Sequence, residues 1–551
     1  MHSPIKKDLE KFFKGELHDS RRERELYSHD ASMFEMLPDI VVAPKSSEDI
    51  KNLVKYVSMH KAKRPGLSIT ARSAGTDMSG GAINESIVMD MTKHFHKIHE
   101  VSETAGHVQP GVYYRDFEKA TLEHGALLPC FPASRELCTV GGMVANNSGG
   151  EKSLEHGKTE RFVTELSVIF ADGNEYVVRP LNEAELRAKK RQNDFEGKVY
   201  REVFKLVDDN YHDIKAAKPN VSKDSTGYHL WNVWDRKTGI FDLTQLIIGS
   251  QGTLGIVTDI KFRLVPAPKH SGTLIVFLRD TDSLGELINR VMKQKPAAFE
   301  GFDNYTLMLS FKLFYYFHTS LGWLGMMKLG IQLIPDALML FRGVPKMVLL
   351  VEFNGDSPEE VRLKVKKLHK NLGKYGKKAL FEEDETEAKA RKFWIMRHES
   401  FHFLRKTVHA KHTAPFIDDL VVRPEHLPEF LPKLREILNR YQLLATVAGH
   451  MGDGNFHVIP LMKIENTLER IKLAPAMKEV NELVIRYGGS LSGEHNDGMS
   501  RGPWLHQMYA PDIMEHFKKA KRILDPQNIF NPHKKTDADW EYSMAHLREH
   551  F

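Results

Sequence analysis

Three glycine-rich stretches in the first half of the chain constrain its fold more than any other feature. The first is Arg72-Ser73-Ala74-Gly75-Thr76-Asp77-Met78-Ser79-Gly80-Gly81. The second is Thr139-Val140-Gly141-Gly142-Met143-Val144-Ala145-Asn146-Asn147-Ser148-Gly149-Gly150, preceded by Pro132-Ala133-Ser134. The third is Gly249-Ser250-Gln251-Gly252-Thr253-Leu254-Gly255-Ile256. Without a Cβ, glycine lets backbone amides come close to an anion, and consecutive amides form a nest for a pyrophosphate. Each stretch alone is equally well a loop of turn residues. None has the G-x-G-x-x-G spacing of a Rossmann turn or the G-K-[ST] ending of a Walker A loop. Together they describe loops suited to a dinucleotide pyrophosphate on a scaffold that is not of the Rossmann type.

Around these loops short strands and helices alternate. PDIVVAPKSSEDIKNLVKYVSMHK reads as a strand, a helix started by Ser46 or Ser47, and an amphipathic run. The pattern continues to LIIGSQGTLGIVTDIKFRLVPAP, where Pro266 and Pro268 mark a boundary. GTLIVFL then opens a new strand-rich pattern, with helical periods in EEVRLKVKKLHKNLGKYG, HLPEFLPKLREILNRYQ and DIMEHFKKAKRIL. The fold class is α+β, with two main domains after a polar, helical arm over residues 1–37.

Composition narrows the function. The chain has 551 residues, 41% hydrophobic and 27% charged, ordinary for a soluble protein of two or three domains. A formal net charge of +5 with no basic run argues against a nucleic-acid partner. The two cysteines, Cys130 and Cys138, cannot supply the four thiolates of an iron–sulfur cluster and fit a reducing compartment. The N-terminal MHSPIKKDLEKFFKGELHDSRRERE has no apolar h-region, so a cytoplasmic location is expected.

Chemistry concentrates in the second half. In Ala448-Gly449-His450-Met451-Gly452-Asp453-Gly454-Asn455-Phe456-His457 two histidines flank a Gly-Asp-Gly-Asn turn. Among 28 histidines a single one is most simply a core or surface residue, but this arrangement is different. Gly452 and Gly454 argue against a continuous helix, and the apolar runs Ala445 to Ala448 and Phe456 to Ile459 read as strands. A tight turn would bring His450 and His457 together, although their odd spacing would separate them on one straight strand. The second piece is Gly488-Gly489-Ser490-Leu491-Ser492-Gly493-Glu494-His495-Asn496-Asp497-Gly498. A helix ends at the glycine pair, and a short strand then presents Glu494 and His495 to opposite faces. The alternative is a loop pair in a glycine-rich turn. Two histidines and a carboxylate form a three-ligand metal site with open positions: His450, His457 and Glu494, with His495 left as a base.

The flavin-half stretches, with HGKT at 156–159, resemble the FAD-binding domain of vanillyl-alcohol-oxidase-type (PCMH-type) flavoproteins. His450 to His457 and Ser492 to Gly498 resemble the H-x-G-D-G-N-x-H and S-G-E-H-G-x-G patterns of FAD-linked dehydrogenases for D-lactate, D-2-hydroxyglutarate and glycolate. The resemblance implies a two-subdomain FAD-binding domain over 38–268 and an α+β substrate-binding domain over 269–551, with an apolar insert at about 305–343. It places Arg72, Ser73, Ala74, Gly75, Thr76, Ser79 and Gly80 around the pyrophosphate. Pro132, Ser134, Thr139, Gly141, Gly142, Asn146 and Gly149 lie along the flavin and ribityl chain, and Gly252, Thr253, Gly255 and Ile256 on the adenine side. Thr76 stands where some relatives carry a flavin-linking histidine, so noncovalent FAD is expected. Arg397, in KFWIMRHE, matches an arginine that holds the substrate carboxylate, and Asp418-Asp419 and LDPQNIFNP match further family stretches. The chain departs from the family at Gln251, where Glu is common, and at Asn496, where Gly is usual.

The activity so implied is oxidation of a D-2-hydroxy acid to the 2-oxo acid. D-lactate is the first choice, with D-2-hydroxyglutarate or glycolate as alternatives. Zn²⁺ suffices as the metal and Mn²⁺ would also serve. Electrons would leave to a quinone, a cytochrome or an iron–sulfur partner. A non-redox enzyme of the alkylglycerone-phosphate synthase type shares the fold, but its chemistry needs no hydroxy-acid metal site. A non-catalytic FAD-binding subunit would not need the second-half residues either. The stretch Tyr305 to Phe341 is apolar with scattered Lys312, Lys328 and Arg342, too interrupted to span a bilayer. It reads either as a helix pair packed inside the substrate domain or at a homodimer contact, or as a patch docking peripherally on the inner face of the membrane.

Overall fold

The computed structural model describes residues 5–280, 283–304, 306–308, 344–375, 379–384, 390, 393–394 and 412–549. Arg397 and residues 309–343 of the apolar stretch lie outside the described residues.

The first sheet contains β1 (Glu16–His18), β2 (Ile40–Ala43), β3 (Ile69–Arg72) and β4 (Ile87–Asp90) in the order β1-β2-β4-β3. β2, β4 and β3 run parallel, and β1 joins antiparallel at the edge. The helix Ser47–His60 carries the chain from β2 to β3. Ser46 caps it, its hydroxyl accepting from Asp49 N at 3.4 Å, and Ile50, Leu53, Val54 and Val57 form its buried stripe. Residues 5–37 differ from the helical arm expected from sequence over 1–37. They hold two short helices, Lys6–Leu9 and Arg21–Leu26, and the strand β1 between them. Leu9, Phe13, Met33 and Phe34 are buried, so the arm is stitched into the body of the protein. Gly15 permits this, because a Cβ there would lie 2.2 Å from Ala43 O.

The second sheet is wholly antiparallel and contains β5 (Ile98–Val101), β6 (Ala105–Val108), β7 (Val163–Ile169), β8 (Glu175–Val178) and β9 (Ile256–Arg263), in the order β5-β6-β9-β7-β8. β9, latest in sequence, fills the centre. The third sheet is an eight-stranded antiparallel layer of β10 (His270–Leu278), β11 (Ala298–Asp303), β12 (Met347–Gly355), β13 (Ala379–Asp384), β14 (His412–Thr413), β15 (Leu420–Val421), β16 (Leu444–His450) and β17 (Asn455–Met462). Its order is β13-β10-β12-β11-β16-β17-β14, and β15 also pairs with β17. Helices Leu284–Met292, Pro358–Leu372, Leu427–Arg440 and Leu473–Arg486 share one apolar core with this sheet.

The chain then returns to its first half. Phe517 of helix Pro511–Leu524 packs edge-on to Tyr228 and Trp231 in the core of the second sheet. Ile69 N donates to Ile529 O at 2.8 Å, and Asn531 N donates to Ile69 O at 2.9 Å. The architecture is α+β. Among the described residues, no helix is long and apolar enough to cross a membrane.

Candidate active site

β16 and β17 form a hairpin whose register pairs His450 with Asn455 and Ala448 with His457. Ala448 and His450 are two residues apart and share a face, so His450 and His457 share it too. The turn therefore reconciles their odd spacing. Gly454 makes the turn with φ +65°, and a Cβ there would sit 1.7 Å from Val422 O. Glu494 closes the set from a different segment. Its Oε1 lies 3.2 Å from His450 Nε2 and 3.4 Å from His457 Nε2. One donor atom from each of the three residues lies within 4.8 Å of the others, spacing suited to a single small cation.

Each of these residues is oriented from behind. Glu300 lies directly across from His450 in the β11–β16 pairing and accepts from its Nδ1 at 2.5 Å, which directs Nε2 toward Glu494. Asp418 Oδ1 takes His457 Nδ1 at 3.3 Å, and Asp418 Oδ2 takes His495 Nδ1 at 2.6 Å. Lys223 donates to Glu494 Oε2 at 3.0 Å and to Gly150 O at 3.2 Å. The rings of His457 and His495 stack at 4.9 Å. Asp418, His457 and His495 also converge as a possible ligand set. Asp418 already bridges the Nδ1 atoms of both rings, and this leaves the Nε2 of His457 toward Glu494.

The strand expected to carry Glu494 and His495 is absent. The segment bends, because Asp419 Oδ2 accepts from both Glu494 N (2.9 Å) and His495 N (2.7 Å), as well as from Ser492 Oγ at 2.6 Å. Two consecutive amides held by one carboxylate are incompatible with a strand ladder. The two side chains still diverge, one to the histidine pair and one to Asp418.

The charges are strongly coupled. Burial works against ionisation of Glu494, but Lys223 and His450 outweigh it and hold the carboxyl well below its usual range. Burial likewise disfavours a charged His457, yet Asp418 and Glu494 push its pKa up to about 10. Burial also opposes charge on His495, and Asp418 and Asp419 reverse the balance, raising its pKa. A cation between these groups must displace the His457 proton, so cation uptake should compete with protons.

The three glycine-rich loops meet one another and this cluster. Asp77 accepts from Gly81 N at 2.7 Å and from Asn146 Nδ2 at 2.7 Å. Gln251 Nε2 donates to Ser79 Oγ at 2.9 Å, and Gln251 N donates to Ala145 O at 2.9 Å. Thr139 caps the helix Val140–Asn146. Ser73, Ala74, Gly75 and Thr76 in one loop, and Gly141, Gly142 and Asn146 in another, remain partly exposed. At Gly142 a Cβ would meet nothing nearer than Thr139 Oγ1 at 3.6 Å, and at Gly252 nothing within 4 Å. These facing, partly open backbones fit an extended dinucleotide. Gly80 takes φ +82°. Pro132 and Ser134 form the turn that enters this loop, both carbonyls accepting from amides ahead of Thr139. Other residues point inward. Arg72 donates to His29 O (2.9 Å) and Ala82 O (3.2 Å). Thr253 bonds Tyr228 OH at 2.7 Å, and Gly255 and Ile256 lead into β9 in buried positions.

The second glycine-rich loop and the histidine cluster are joined through Lys223 and lie close together. A Cβ on Gly149 would lie 3.2 Å from Glu494 Oε2. Asn496, replacing the family glycine, takes φ +68°, a conformation Asn tolerates, and its Nδ2 donates to Gly249 O at 2.8 Å. Gln251, replacing the family Glu, accepts from Gly498 N at 2.8 Å. Sequence reasoning missed Lys223 and Glu300. Neither has a local motif, and only the fold brings them to the site.

Residues 38–179 match the FAD binding domain family, and residues 267–535 match the C-terminal domain of FAD linked oxidases. D-2-hydroxyglutarate dehydrogenase of Pseudomonas putida is 26% identical over 95% of this chain and 50% of its own length. Glycolate oxidase subunit GlcD of Bacillus subtilis is 27% identical over 94% of this chain and 93% of its own. The chain thus spans about half of the first relative and nearly all of the second. A solved alkyldihydroxyacetonephosphate synthase superposes with TM-score 0.64 at 17% identity, covering 96% of this chain and 84% of its own, which shows a shared fold.

Proposed function

We propose that this chain, which belongs to the FAD-linked oxidases, oxidises a small D-2-hydroxy acid to the 2-oxo acid at the His450, His457, Glu494 and His495 cluster. The observation that carries this reading is the bridge made by Lys223, which bonds Glu494 of the cluster at 3.0 Å and Gly150 O of the second glycine-rich loop at 3.2 Å. A substrate held at one is within reach of the other. When bound, FAD supplies the hydride acceptor, and a divalent cation such as Zn²⁺ or Mn²⁺ supplies Lewis acidity at the substrate hydroxyl. His450, His457 and Glu494 would hold that cation, and the partly open loops would hold noncovalent FAD.

The protein's own groups do the rest. Glu300 and Asp418 fix the rings of His450 and His457. Lys223 fixes Glu494 and ties it to the flavin loop through Gly150 O. In its neutral form His495, its Nδ1 held by Asp418, takes the hydroxyl proton at Nε2, and the raised pKa makes it the stronger acceptor. Arg397, matched from sequence, would hold the substrate carboxylate in a two-pronged grip.

D-lactate is the first substrate to test. D-2-hydroxyglutarate is the second, favoured by the similarity to the Pseudomonas putida enzyme. The reduced flavin would pass electrons to a quinone, a cytochrome or an iron–sulfur partner. Anaerobic mixing with a panel of D- and L-2-hydroxy acids tests the reading. Bleaching of the flavin by D-enantiomers, lost after chelation, supports it. A flavin that stays oxidised with every acid overturns it and favours the non-redox chemistry.

A further inference from the structure

We propose a second metal site, remote from the cluster above, formed by His99, His107 and Asp259 on the second sheet. These residues come from β5, β6 and β9, which are adjacent in that order. His99 Nε2 lies 3.2 Å from Asp259 Oδ2, and His107 Nε2 meets Asp259 Oδ1. One donor atom from each residue falls within 4.8 Å of the others. Four ligands about 2.0–2.1 Å from a tetrahedral Zn²⁺ sit a little over 3 Å apart. The His99–Asp259 separation already has that value.

The backbone aims these side chains. β5 shifts register against β6 between Ile98 and Glu100, so His99 occupies the extra position of a bulge. β9 shifts against β7 between Val257 and Asp259, so Asp259 directly follows a second irregularity. Bulges re-aim side chains, and two of them lead to one point here. The carboxylate is divided between the two rings, Oδ2 toward His99 and the buried Oδ1 toward His107. Nearby positive charge is already neutralised, since Lys261 pairs with Glu165 at 2.7 Å. The imidazole rings stack 4.4 Å apart and remain partly exposed, so a cation can reach them from solvent.

Two imidazoles and one carboxylate select a divalent transition cation, Zn²⁺, Ni²⁺ or Cu²⁺, over Mg²⁺ or Ca²⁺. Three protein ligands leave at least one position for water. Such an ion would tie the edge strand β5 to the central strand β9. The site is independent of the proposed activity.

Calorimetric titration of the FAD-loaded 551-residue chain with Zn²⁺ tests this. A His450→Asn/His457→Asn variant, which should lose the first metal site, is expected to keep a Zn²⁺ event with about one equivalent. His107→Ala in either background should weaken that event about tenfold or more, and His99→Ala should do the same. Flavin reduction in His107→Ala should be unchanged. The site is refuted if no Zn²⁺ event survives in a folded His450→Asn/His457→Asn protein. It is equally refuted if His107→Ala leaves Zn²⁺ stoichiometry and affinity unchanged in the wild-type background.

Discussion

Half-buried His495 and fully buried Lys223 flank Glu494, yet their removal should fail differently. His495 is held by Asp418 at 2.6 Å and lies outside the His450, His457 and Glu494 set. His495→Ala should therefore retain FAD and metal while slowing flavin reduction by about 10²–10⁴, the usual worth of a general base. Stopped-flow reduction and metal content check this. Loss of the metal would instead make His495 a ligand. Lys223 is only 1% exposed and supplies the cation next to the Glu494 carboxylate. Lys223→Met should destabilise the chelated protein by about 1–3 kcal/mol, because Glu494 Oε2 is left buried without its donor while Oε1 keeps the two histidines. A bound divalent cation replaces the missing charge, so the deficit in Tm should shrink when metal is restored. An equal deficit with and without metal would refute this pairing. Asp30 carries a pH signature. Burial and then Asp77 raise its pKa to about 6. For an acid raised in the folded state, stability is greatest below the unfolded value near 4 and falls as pH rises through about 6. Asp30→Asn should remove that loss, gaining on the wild type by on the order of 2 kcal/mol between pH 4 and 7 in urea unfolding. The histidines were legible because glycines and turn residues surround them in sequence. Lys223 and Glu300 were not, because an isolated lysine or strand glutamate looks like any other until its cross-strand or cross-domain neighbour is known.

Individual elements show where local pattern suffices and where tertiary contacts overrule it. The β16–β17 hairpin was readable: apolar runs flank a glycine-rich turn, and the turn's register places both histidines on one face. The Ser46-capped helix was readable for the same reason, since cap and stripe are both local. The Glu494–His495 strand was not, because Asp419, 75 residues earlier for the Glu494 amide, captures both amides that a strand would use. The N-terminal arm is not legible locally, because its apolar residues follow no helical period and its strand exists only by pairing with β2. The hairpin gives a direct test. Gly454→Ala places a methyl 1.7 Å from Val422 O at a positive φ. Relief requires the turn to move, and with it both histidines. The variant should lose stability by more than about 1 kcal/mol, the range for alanine forced into such a conformation. It should also bind metal more weakly. Unchanged thermal midpoint and metal content would show that the turn does not set the site.

At the level of the whole molecule, the flavin region is assembled from segments far apart in sequence. Asn531, near the chain's end, donates to Gly81 O at 2.8 Å and to Gln251 O at 2.7 Å, joining the first and third glycine-rich loops. Lys521 donates to Thr253 O at 2.7 Å and to Phe530 O at 2.9 Å. A dinucleotide lying between these loops would bridge contacts that close only in the complete fold. Binding it should therefore stabilise the molecule globally. Thr76 offers no nucleophile of the kind that links flavin covalently in some relatives, so the bond between FAD and protein should be reversible. Reversible binding has a thermodynamic signature: free ligand raises stability by RT ln(1 + [FAD]/Kd), about 2.7 kcal/mol at a hundredfold excess over Kd. The thermal midpoint of the protein should accordingly climb with added FAD. Acid precipitation should release the yellow colour entirely to the supernatant. Glu494→Ala, at the proposed metal site, should show the same FAD dependence, because the Glu494 side chain bonds Lys223, His450 and His457 rather than the glycine-rich loops. Flavin that stays with the precipitate, together with a midpoint indifferent to added FAD, would mean that the cofactor is covalently held.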